Sequence, residues 1–288
     1  MASEFRPGRG MVLADTVPGE PLIVFQNVRL GFDEGDVLQG ISFEVSPGET
    51  KVLLGESGSG KTLIMKLAAG LIKPDSGRIW VVGRDLAEMP EGELLNFRRH
   101  LGFVFQEGAL FDSMTVADNV AFRLREENVA DEQVESQVRE ALSFVEMEPA
   151  FDKYPADLSG GMRRRVSIAR ALIDKPAVVL YDSPTAGLDP VTSQTIITLI
   201  LRGRDVQGVT SLLATHRVQD AFGLANYRFD EQSNRVVALG AKDAHHTERV
   251  SPTNVLVLRD GKVYFEASAE QFRKTSDSYL KKFLASAE

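Results

Sequence analysis

A glycine-rich stretch carries the residue types with the clearest chemistry. GESGSGKT, residues 55–62, fits the pattern G-x-x-x-x-G-K-[ST] and lies between an apolar segment and a segment with helical spacing. Glycines let backbone N–H groups curl around phosphates, and the start of the following helix adds partial positive charge. Lys61 would reach phosphate oxygens, and the Thr62 hydroxyl would bind Mg²⁺. The stretch therefore predicts a phosphate-binding loop formed by Gly55, Glu56, Ser57, Gly58, Ser59, Gly60, Lys61, Thr62 and Leu63.

Farther along the chain, the apolar run VVLY ends at Asp182. A carboxylate at the end of a buried strand can hold Mg²⁺ through water, so the two stretches together predict a P-loop protein that binds a nucleoside triphosphate. A second carboxylate is expected beside it to handle the attacking water, but this chain has Ser183. A serine hydroxyl is a poor proton acceptor at neutral pH, and general-base help is typically worth about 10²–10⁴-fold. The sequence thus leaves open a working ATPase, a slow ATPase and a nucleotide-operated switch.

Another anion-binding feature lies at the start of the predicted helix MRRRVSIARAL. In LSGGM, residues 158–162, the Ser159 hydroxyl and the N–H groups of Gly160 and Gly161 suit an anion. The same residues would also serve as a plain helix cap, so this pattern alone does not decide between the two.

Composition and charge narrow the class of protein. The chain has 288 residues, 43% hydrophobic and 26% charged, which is typical of a globular protein with one large domain or two small ones. Its net charge of −8 gives no electrostatic footprint for nucleic acid. The absence of cysteine excludes disulfides and thiolate metal sites. No apolar run approaches the roughly 20 residues of a membrane span, and residues 1–20 lack the apolar core of a secretory signal, which indicates a mobile leader.

The elements that must position these residues follow an α/β pattern. Strand signals fill residues 22–54, and a helix of about three turns follows the glycine-rich loop. The segment of about 88–158 contains a charged helical stretch with an apolar stripe, which predicts a helical subdomain inserted into the α/β core. Residues 226–254 are polar and predict a surface hairpin or a mobile loop. A terminal hairpin turning at Asp260-Gly261 and a final helix within residues 271–288 complete the chain.

Five motifs in order resemble the ABC-transporter ATPase family: GESGSGKT, Gln106 in GFVFQEGALF, LSGGMRRR, YDSPTAGLDP and His216 in ATHR. The resemblance covers about residues 22–225 and resumes at VLVLRDGKVYFEAS. It implies an ABC ATPase domain over about residues 21–270, with a RecA-like core, an antiparallel β-subdomain, and ATP and Mg²⁺ as cofactors. It also implies a head-to-tail homodimer in which one subunit closes over the γ-phosphate of the other through Ser159, Gly160 and Gly161.

The resemblance assigns roles to further residues. Phe32, which precedes Lys61 by 29 residues, would stack on adenine, although a strand-end core residue is the alternative. Gln106 would sense Mg²⁺ and the γ-phosphate, Asp189 would lie at the dimer interface, and His216 would contact the γ-phosphate. The other histidines, which are expected to be structural or solvated and not to bind metal, are His100, His245 and His246.

Two details resemble the ATPases of Mla/Mkl-type systems, which pair with an MlaE-like permease and MCE-domain proteins to move lipids. Met162 stands where many families have glutamine, and Gly108-Ala109-Leu110-Phe111 follows Gln106. A groove between Gln106 and Asn119 would receive the permease, with Phe111 and Met114 as apolar anchors; core packing is an equal alternative for Met114. The resemblance places the chain peripherally on the cytoplasmic face of a bacterial inner membrane.

The sequence departs from the family pattern at Ser183, where glutamate is usual, and at Leu63, where a second hydroxyl is frequent. Because Lys61, Mg²⁺ and the Ser159 helix stabilise a loose phosphoryl-transfer transition state, hydrolysis is expected to be slowed rather than abolished. Glu56 and Glu107 either substitute for the missing acid or are solvated loop residues. The functional alternatives are a lipid-transport ATPase, the ATPase of another ABC importer or exporter, and an ATP-gated switch or non-transport ABC protein.

Overall fold

A computed structural model describes residues 19–33, 35–239 and 252–285. In chain order, the elements are β1 (Ile23–Phe32), β2 (Gly35–Val45), β3 (Thr50–Leu54), α1 (Lys61–Ala68), β4 (Ser76–Val81), β5 (Arg84–Asp85), α2 (Glu91–Arg98), β6 (Leu101–Val104), α3 (Val116–Glu126), α4 (Asp131–Phe144), α5 (Gly160–Leu172), β7 (Val178–Asp182), α6 (Pro190–Gln207), β8 (Thr210–Ala214), α7 (Val218–Asn226), β9 (Tyr227–Asp230), β10 (Arg235–Ala238), β11 (Thr253–Arg259), β12 (Lys262–Ser268), α8 (Ala269–Arg273) and α9 (Ser278–Ala285).

The first sheet is antiparallel, with the strand order β2-β1-β4-β5. β2 shows the alternation typical of a strand with one buried face: Ile41, Phe43 and Val45 are buried, while the residues between them are exposed. The Phe43 ring stacks on Phe25 of β1 with ring centroids 4.7 Å apart. This apolar face packs on the core, and the opposite face meets solvent, as is common for antiparallel sheets.

The second sheet forms the centre of the molecule, with the order β12-β11-β3-β8-β7-β6. Its strands from β11 to β6 are parallel, and β12 is antiparallel to β11. Alternate residues of β3 enter different apolar clusters, since Val52 and Leu54 join one and Leu53 joins the other. Both faces of the sheet are therefore covered, as parallel sheets require. The chain thus has the mixed α/β architecture with an antiparallel sheet that the motifs predict.

All five parallel strands end at one edge of the central sheet. The loops after β3, β6, β7, β8 and β11 therefore lie side by side, and they carry the phosphate loop, Gln106, Ser183 and His216. Ligands of open α/β sheets bind at this carboxyl edge. The fold brings together residues that are more than 150 positions apart in the sequence.

The segment of about 88–158 contains a strand of the central sheet in addition to the helices that the sequence predicts. Helices α3 and α4 form its helical part, and the apolar stripe of α4, which consists of Val134, Val138 and Leu142, is buried. However, β6 at Leu101–Val104 is an edge strand of the central sheet, paired with β7. Four residues are too few to show the alternation of a strand, and helical patterns surround them. The sequence therefore predicts only helices here. The helix after the phosphate loop is also shorter than three turns, because α1 ends at Ala68.

The C-terminal part contains two hairpins. β9 and β10 form a surface hairpin within the polar stretch, whereas residues 240–251, with His245 and His246, lie outside the described residues, as do 1–18 of the predicted leader. β11 and β12 turn at Asp260 and Gly261, whose φ angles of 50° and 70° fit a type I′ turn. α8 and α9 then pack on the chain's own core through Phe272 and Leu280, which are buried.

Among the residues that the structure describes, no helix combines the length and apolarity needed to cross a membrane.

Candidate functional site

The phosphate loop connects the end of β3 to the start of α1 and is closed by its own lysine. The Lys61 Nζ donates hydrogen bonds to the carbonyl oxygens of Gly55 (2.9 Å) and Glu56 (2.8 Å) and to Ser59 Oγ (3.3 Å). Burial lowers the pKa of Lys61, and the nearby Asp182 carboxylate opposes this shift. The loop is therefore already curled, with a partly desolvated ammonium group at its centre that an anionic phosphate would stabilise.

Glycine is required at two positions of this loop. A Cβ on Gly55 would lie 2.5 Å from Ser59 Oγ and 2.9 Å from the Leu258 carbonyl oxygen of β11. Gly60, at the N-terminus of α1, has a φ of 96°, and a Cβ there would lie 2.5 Å from Leu38 of β2. Glycine is therefore needed at these two positions because the loop backbone passes close to both sheets. The loop is held between them.

The predicted metal ligands meet beside the loop. Thr62 Oγ1 donates to Asp182 Oδ1 at 3.5 Å, and Ser183 Oγ donates to the same oxygen at 3.3 Å. A carboxylate and a hydroxyl are hard oxygen donors of the kind that Mg²⁺ binds, usually together with water and substrate phosphates. No group of three or more His, Cys, Asp or Glu side chains suited to a metal occurs within 19–33, 35–239 and 252–285. The donor set thus fits a magnesium ion carried by a nucleotide rather than a metal held by protein alone.

Ser183 begins a tight turn after β7. Its φ is 49°, and its backbone N–H donates to the Ala214 carbonyl oxygen of β8 at 2.8 Å. Its hydroxyl is directed to Asp182. At this position the site therefore offers a hydrogen-bond donor to the Asp182 carboxylate and no proton acceptor for water.

Gln106 and His216 are both exposed and lie at the carboxyl edge of the central sheet. Gln106 follows β6, which pairs with β7, and His216 follows β8 on the other side of β7. The two side chains therefore flank the strand that carries Asp182 and Ser183. Phe32 is 59% exposed at the end of β1, so it is not a core residue and its ring is accessible for stacking.

The LSGGM segment caps α5 as the sequence indicates. Ser159 is its N-cap, and the Ser159 Oγ accepts a hydrogen bond from the Met162 N–H at 3.3 Å. Asp189 caps the neighbouring α6 by accepting bonds from the Thr192 N–H (3.0 Å) and Oγ1 (2.5 Å), and these bonds lower the Asp189 pKa. Ser159 and Asp189 are exposed, so both helix starts can be reached by a second molecule.

The first turn of α5 packs tightly on α6, which leads to a prediction about its two glycines. A Cβ on Gly161 would lie 2.3 Å from Thr192 Cγ2, whereas a Cβ on Gly160 would be 3.6 Å from Leu188, an ordinary contact. The Thr192 side chain cannot rotate away without losing the hydrogen bond from its hydroxyl to Asp189. We expect Gly161→Ala to lower the free energy of unfolding by about 1–3 kcal/mol. Gly160→Ala is the matched control in urea unfolding and should have the smaller effect; equal losses would contradict the packing argument.

Sequence reasoning missed Arg164, a buried arginine of α5. Its guanidinium donates to the carbonyl oxygens of Pro184 (3.4 Å) and Ala186 (3.1 and 3.2 Å), which form the turn after Ser183. The helical spacing places Arg164 between Gly161 and Ile168 on the buried face of α5. This spacing could have indicated its role, because a charged residue on an apolar face needs a specific partner.

Asp220 was also missed. Its buried carboxylate accepts hydrogen bonds from Thr185 Oγ1 (2.6 Å) and Thr215 Oγ1 (2.7 Å), and burial raises its pKa. It therefore joins the turn after Ser183 to the loop that carries His216. No motif in the sequence marks Asp220, because its partners come from two different strand ends.

An exposed aromatic pair lies on the predicted permease groove. Phe111 and Phe122 are 44% and 37% exposed, and their ring centroids are 4.9 Å apart. Buried Asn119 holds the loop, since its Oδ1 accepts from the Phe111 N–H at 2.7 Å and its Nδ2 donates to the Phe111 and Met114 carbonyl oxygens. Met114 is half-buried. The two rings thus form an exposed apolar surface, and Asn119 supports the loop that carries Phe111.

Comparison with known proteins agrees with this geometry. The sequence model of the family described as "ABC transporter" matches residues 38–186. "Probable sulfate/thiosulfate import ATP-binding protein CysA" of Chlorella vulgaris is 35% identical over 239 residues, which are 82% of this chain and 99% of that protein. "Intermembrane phospholipid transport system ATP-binding protein MlaF" of Haemophilus influenzae is 32% identical over 255 residues, 85% and 95% of the two chains.

The solved structures give the same fold. A dimeric ATP-binding cassette in a post-hydrolysis state, bound to ADP and Pi, superimposes with a TM-score of 0.70 at 26% identity. The match covers 86% of this chain and 98% of that one. Some curated relatives are longer, and the chain spans 61% to 66% of the length of three further import ATP-binding proteins.

Proposed function

Since this chain belongs to the ABC transporter ATPase family, we propose that it is the ATP-hydrolysing subunit of a transporter that moves phospholipid or another lipid. Two copies would form a head-to-tail dimer around two ATP molecules, beneath an MlaE-like permease in a complex with an MCE-domain protein. In this proposal the dimer is peripheral, on the cytoplasmic face of a bacterial inner membrane. The observation that carries the ATPase function is the preformed loop in which Lys61 lies beside Asp182 and Thr62.

The roles of the residues follow from their chemistry. The phosphate loop would bind the β- and γ-phosphates through its N–H groups, and Thr62 and Asp182 would hold the magnesium ion, which neutralises phosphate charge. Ser159, Gly160 and Gly161 would present an N–H-rich helix start to the γ-phosphate of the partner subunit. Gln106 and His216 would contact the γ-phosphate from the two sides of β7, and Phe32 would stack on adenine. The roles of the phosphate loop, Asp182, Gln106 and His216 are supported by their common position at the carboxyl edge of the central sheet, and those of Ser159 and Phe32 by their exposure to a second molecule or a ligand.

Fewer observations support lipid as the substrate class than support ATP hydrolysis. Met162, the Gly108–Phe111 segment and the relative named for phospholipid transport support it. The sulfate-import relative has similar identity, so the overall percentage does not separate the two substrates. Isolation of the membrane complex from its source cells tests the proposal: an MlaE-like permease supports lipid transport, and a sulfate or amino-acid permease overturns it.

Ser183→Glu tests how much the missing acid limits turnover. A carboxylate next to Asp182 could accept a proton from water, so we expect steady-state ATP turnover to rise by about tenfold or more. Ser183→Gln has the same side-chain size without a proton acceptor and serves as the control. A rate for Ser183→Glu no higher than for Ser183→Gln would show that position 183 does not limit hydrolysis.

An ATP-gated dimerisation switch is the second candidate, and the Ser183 hydroxyl bonded to Asp182 favours it. A switch would dimerise with ATP but would show no phosphate release above the background of a variant without Lys61. Phosphate release above that background would exclude it.

A further inference from the structure

We propose that Arg259 is a positioning residue for ATP binding, which keeps the phosphate loop closed while Tyr279 of α9 keeps the arginine in place. The inference rests on the proposed ATPase function and concerns the same nucleotide site. It is carried by the close approach of β11 to the loop and by the stacking of Arg259 on two tyrosine rings. The C-terminal helix would thus contribute to the nucleotide site through β11.

The end of β11 lies directly against the start of the phosphate loop. β11 pairs in parallel with β3 up to Val257, which is opposite Leu54. One residue farther along, a Cβ on Gly55 would lie 2.9 Å from the carbonyl oxygen of Leu258. Arg259 follows as the last residue of β11. A displacement of the Arg259 backbone would therefore disturb the surface on which Gly55 packs.

The same part of β2 contacts both the loop and the turn that follows Arg259. At the end of the loop, a Cβ on Gly60 would lie 2.5 Å from Leu38 Cδ2. In the turn, the Gly261 carbonyl oxygen accepts a hydrogen bond from the Gln39 N–H at 2.7 Å. The phosphate loop is therefore supported by β11 at its start and by β2 at its end, and the β11–β12 turn joins the two supports.

Two tyrosine rings fix the Arg259 side chain. Its guanidinium carbon lies 4.3 Å from the ring centroid of Tyr279 in α9 and 5.2 Å from that of Tyr264 in β12. The two rings meet edge to face, with their centroids 5.2 Å apart. A guanidinium group is attracted to the negative face of an aromatic ring. Arg259 therefore joins the end of β11 to the C-terminal helix, although its side chain is 41% exposed.

α9 is anchored so that it can keep Tyr279 in this position. At the start of the helix, Asp277 accepts hydrogen bonds from the Tyr279 and Leu280 N–H groups at 2.8 and 2.9 Å. Its second carboxylate oxygen accepts one from the Tyr264 hydroxyl at 2.8 Å, and Leu280 is buried in the core. Burial raises the pKa of Tyr279, and the Glu56 carboxylate of the phosphate loop adds to this shift. These contacts agree with a helix that is fixed beside the loop.

A loop that is already closed favours ATP binding, because it loses less conformational freedom when the nucleotide arrives. Without the Arg259 contact, the closed loop would be a smaller fraction of the molecules, and the apparent affinity for ATP would fall by the same factor. The chemical step takes place in the closed, occupied loop. The contact should therefore act on KM and leave kcat nearly unchanged.

Fluorescent-ATP titration and steady-state kinetics test this role. We expect Arg259→Ala and Tyr279→Ala each to raise the Kd for ATP by about threefold to tenfold, with kcat within about twofold of the unmodified protein. Tyr279→Phe keeps the ring and should retain the original affinity. An unchanged Kd in Arg259→Ala, or a Tyr279→Phe protein that binds as weakly as Tyr279→Ala, would overturn the proposal. Should Tyr279→Ala fail to fold, Tyr279→Leu replaces it as an apolar side chain without a ring.

Lys282→Ala is the matched control. The Lys282 Nζ lies 5.9 Å from the centroid of the same Tyr279 ring, but the lysine belongs to α9 and not to β11. Its removal changes the net charge as Arg259→Ala does, and we expect the Kd for ATP to stay the same. A loss of affinity equal to that of Arg259→Ala would mean that only the positive charge matters, and this also contradicts the positioning role.

Two further measurements separate positioning from a general loss of stability. The double variant Arg259→Ala/Tyr279→Ala should bind ATP as weakly as either single variant, because both changes remove the same contact. Without nucleotide, amide hydrogen exchange in residues 55–60 should be faster in Arg259→Ala, while exchange in β7 and β8 stays the same. Additive losses of affinity, or faster exchange across the whole domain, would show that these residues only stabilise the fold.

Lys61→Ala distinguishes a failure of this inference from a failure of the proposed function. If the unmodified protein binds ATP no more tightly than Lys61→Ala, both fail. If it binds ATP more tightly than Lys61→Ala but is indifferent to Arg259→Ala and Tyr279→Ala, only the present inference fails.

Discussion

Lys61→Ala is expected to reduce ATP turnover by about 10³-fold or more and to weaken ATP binding. The ammonium group holds the loop closed through two carbonyl oxygens and would stabilise the charge of the transferred phosphoryl group. Preorganised charges of this kind contribute several kcal/mol to a transition state, and about 1.4 kcal/mol corresponds to a factor of ten in rate. Phosphate release and fluorescent-ATP titration measure the two effects.

Lys66→Ala is the matched control for this change. Lys66 is an exposed lysine on the same helix, α1, and it lies outside the phosphate loop. Its removal alters the net charge by the same amount, so any purely electrostatic effect of the lost positive charge appears in both variants. Comparable losses in the two variants would contradict a specific role for Lys61.

Phe272→Ala is expected to lower the free energy of unfolding by about 3–5 kcal/mol. Phe272 is fully buried, and its ring lies 5.7 Å from that of Phe265 and 6.2 Å from that of Phe222. The change would leave a cavity beneath α8 and weaken the attachment of the C-terminal segment. Urea unfolding monitored by circular dichroism gives the measurement.

Phe32→Ala is the control for this change, because it removes a phenylalanine ring that is exposed rather than buried. Phe32 is mostly exposed, so its removal should change the unfolding free energy by less than about 0.5 kcal/mol. The same variant should bind ATP more weakly if the ring stacks on adenine. A Phe272→Ala protein as stable as Phe32→Ala would show that the C-terminal segment does not pack on the core as described.

The conformation of the phosphate loop was predictable from the sequence because it is local. The residues from Gly55 to Thr62 are consecutive, and their conformation depends on glycine and on the start of one helix. Asp182 was predictable for a similar reason, since the buried strand before it is a continuous apolar run. The antiparallel and parallel parts of the fold followed from the period of the apolar residues and from the resemblance to a known family.

Contacts between distant segments were not predictable. Arg164 and Asp220 each bind loops from other strand ends, and no single stretch of sequence contains both partners. The strand β6 was too short to recognise, and the order of strands in the central sheet decides which loops lie beside Ser183. Such relations depend on tertiary packing, which residue types and spacing do not specify.

Helix α5 connects three separate surfaces of the molecule. It is about 20 Å long, at about 1.5 Å per residue. Ser159 at its start faces outward, Arg164 holds the turn after Ser183, and Arg170 near its end donates to the carbonyl oxygens of Gly108 and Ala109 at 2.9 Å each. If α5 moves as a rigid body, the exposed start, the turn after Ser183 and the surface around Phe111 move together. We therefore expect a displacement at one of these three surfaces to be accompanied by displacement of the other two.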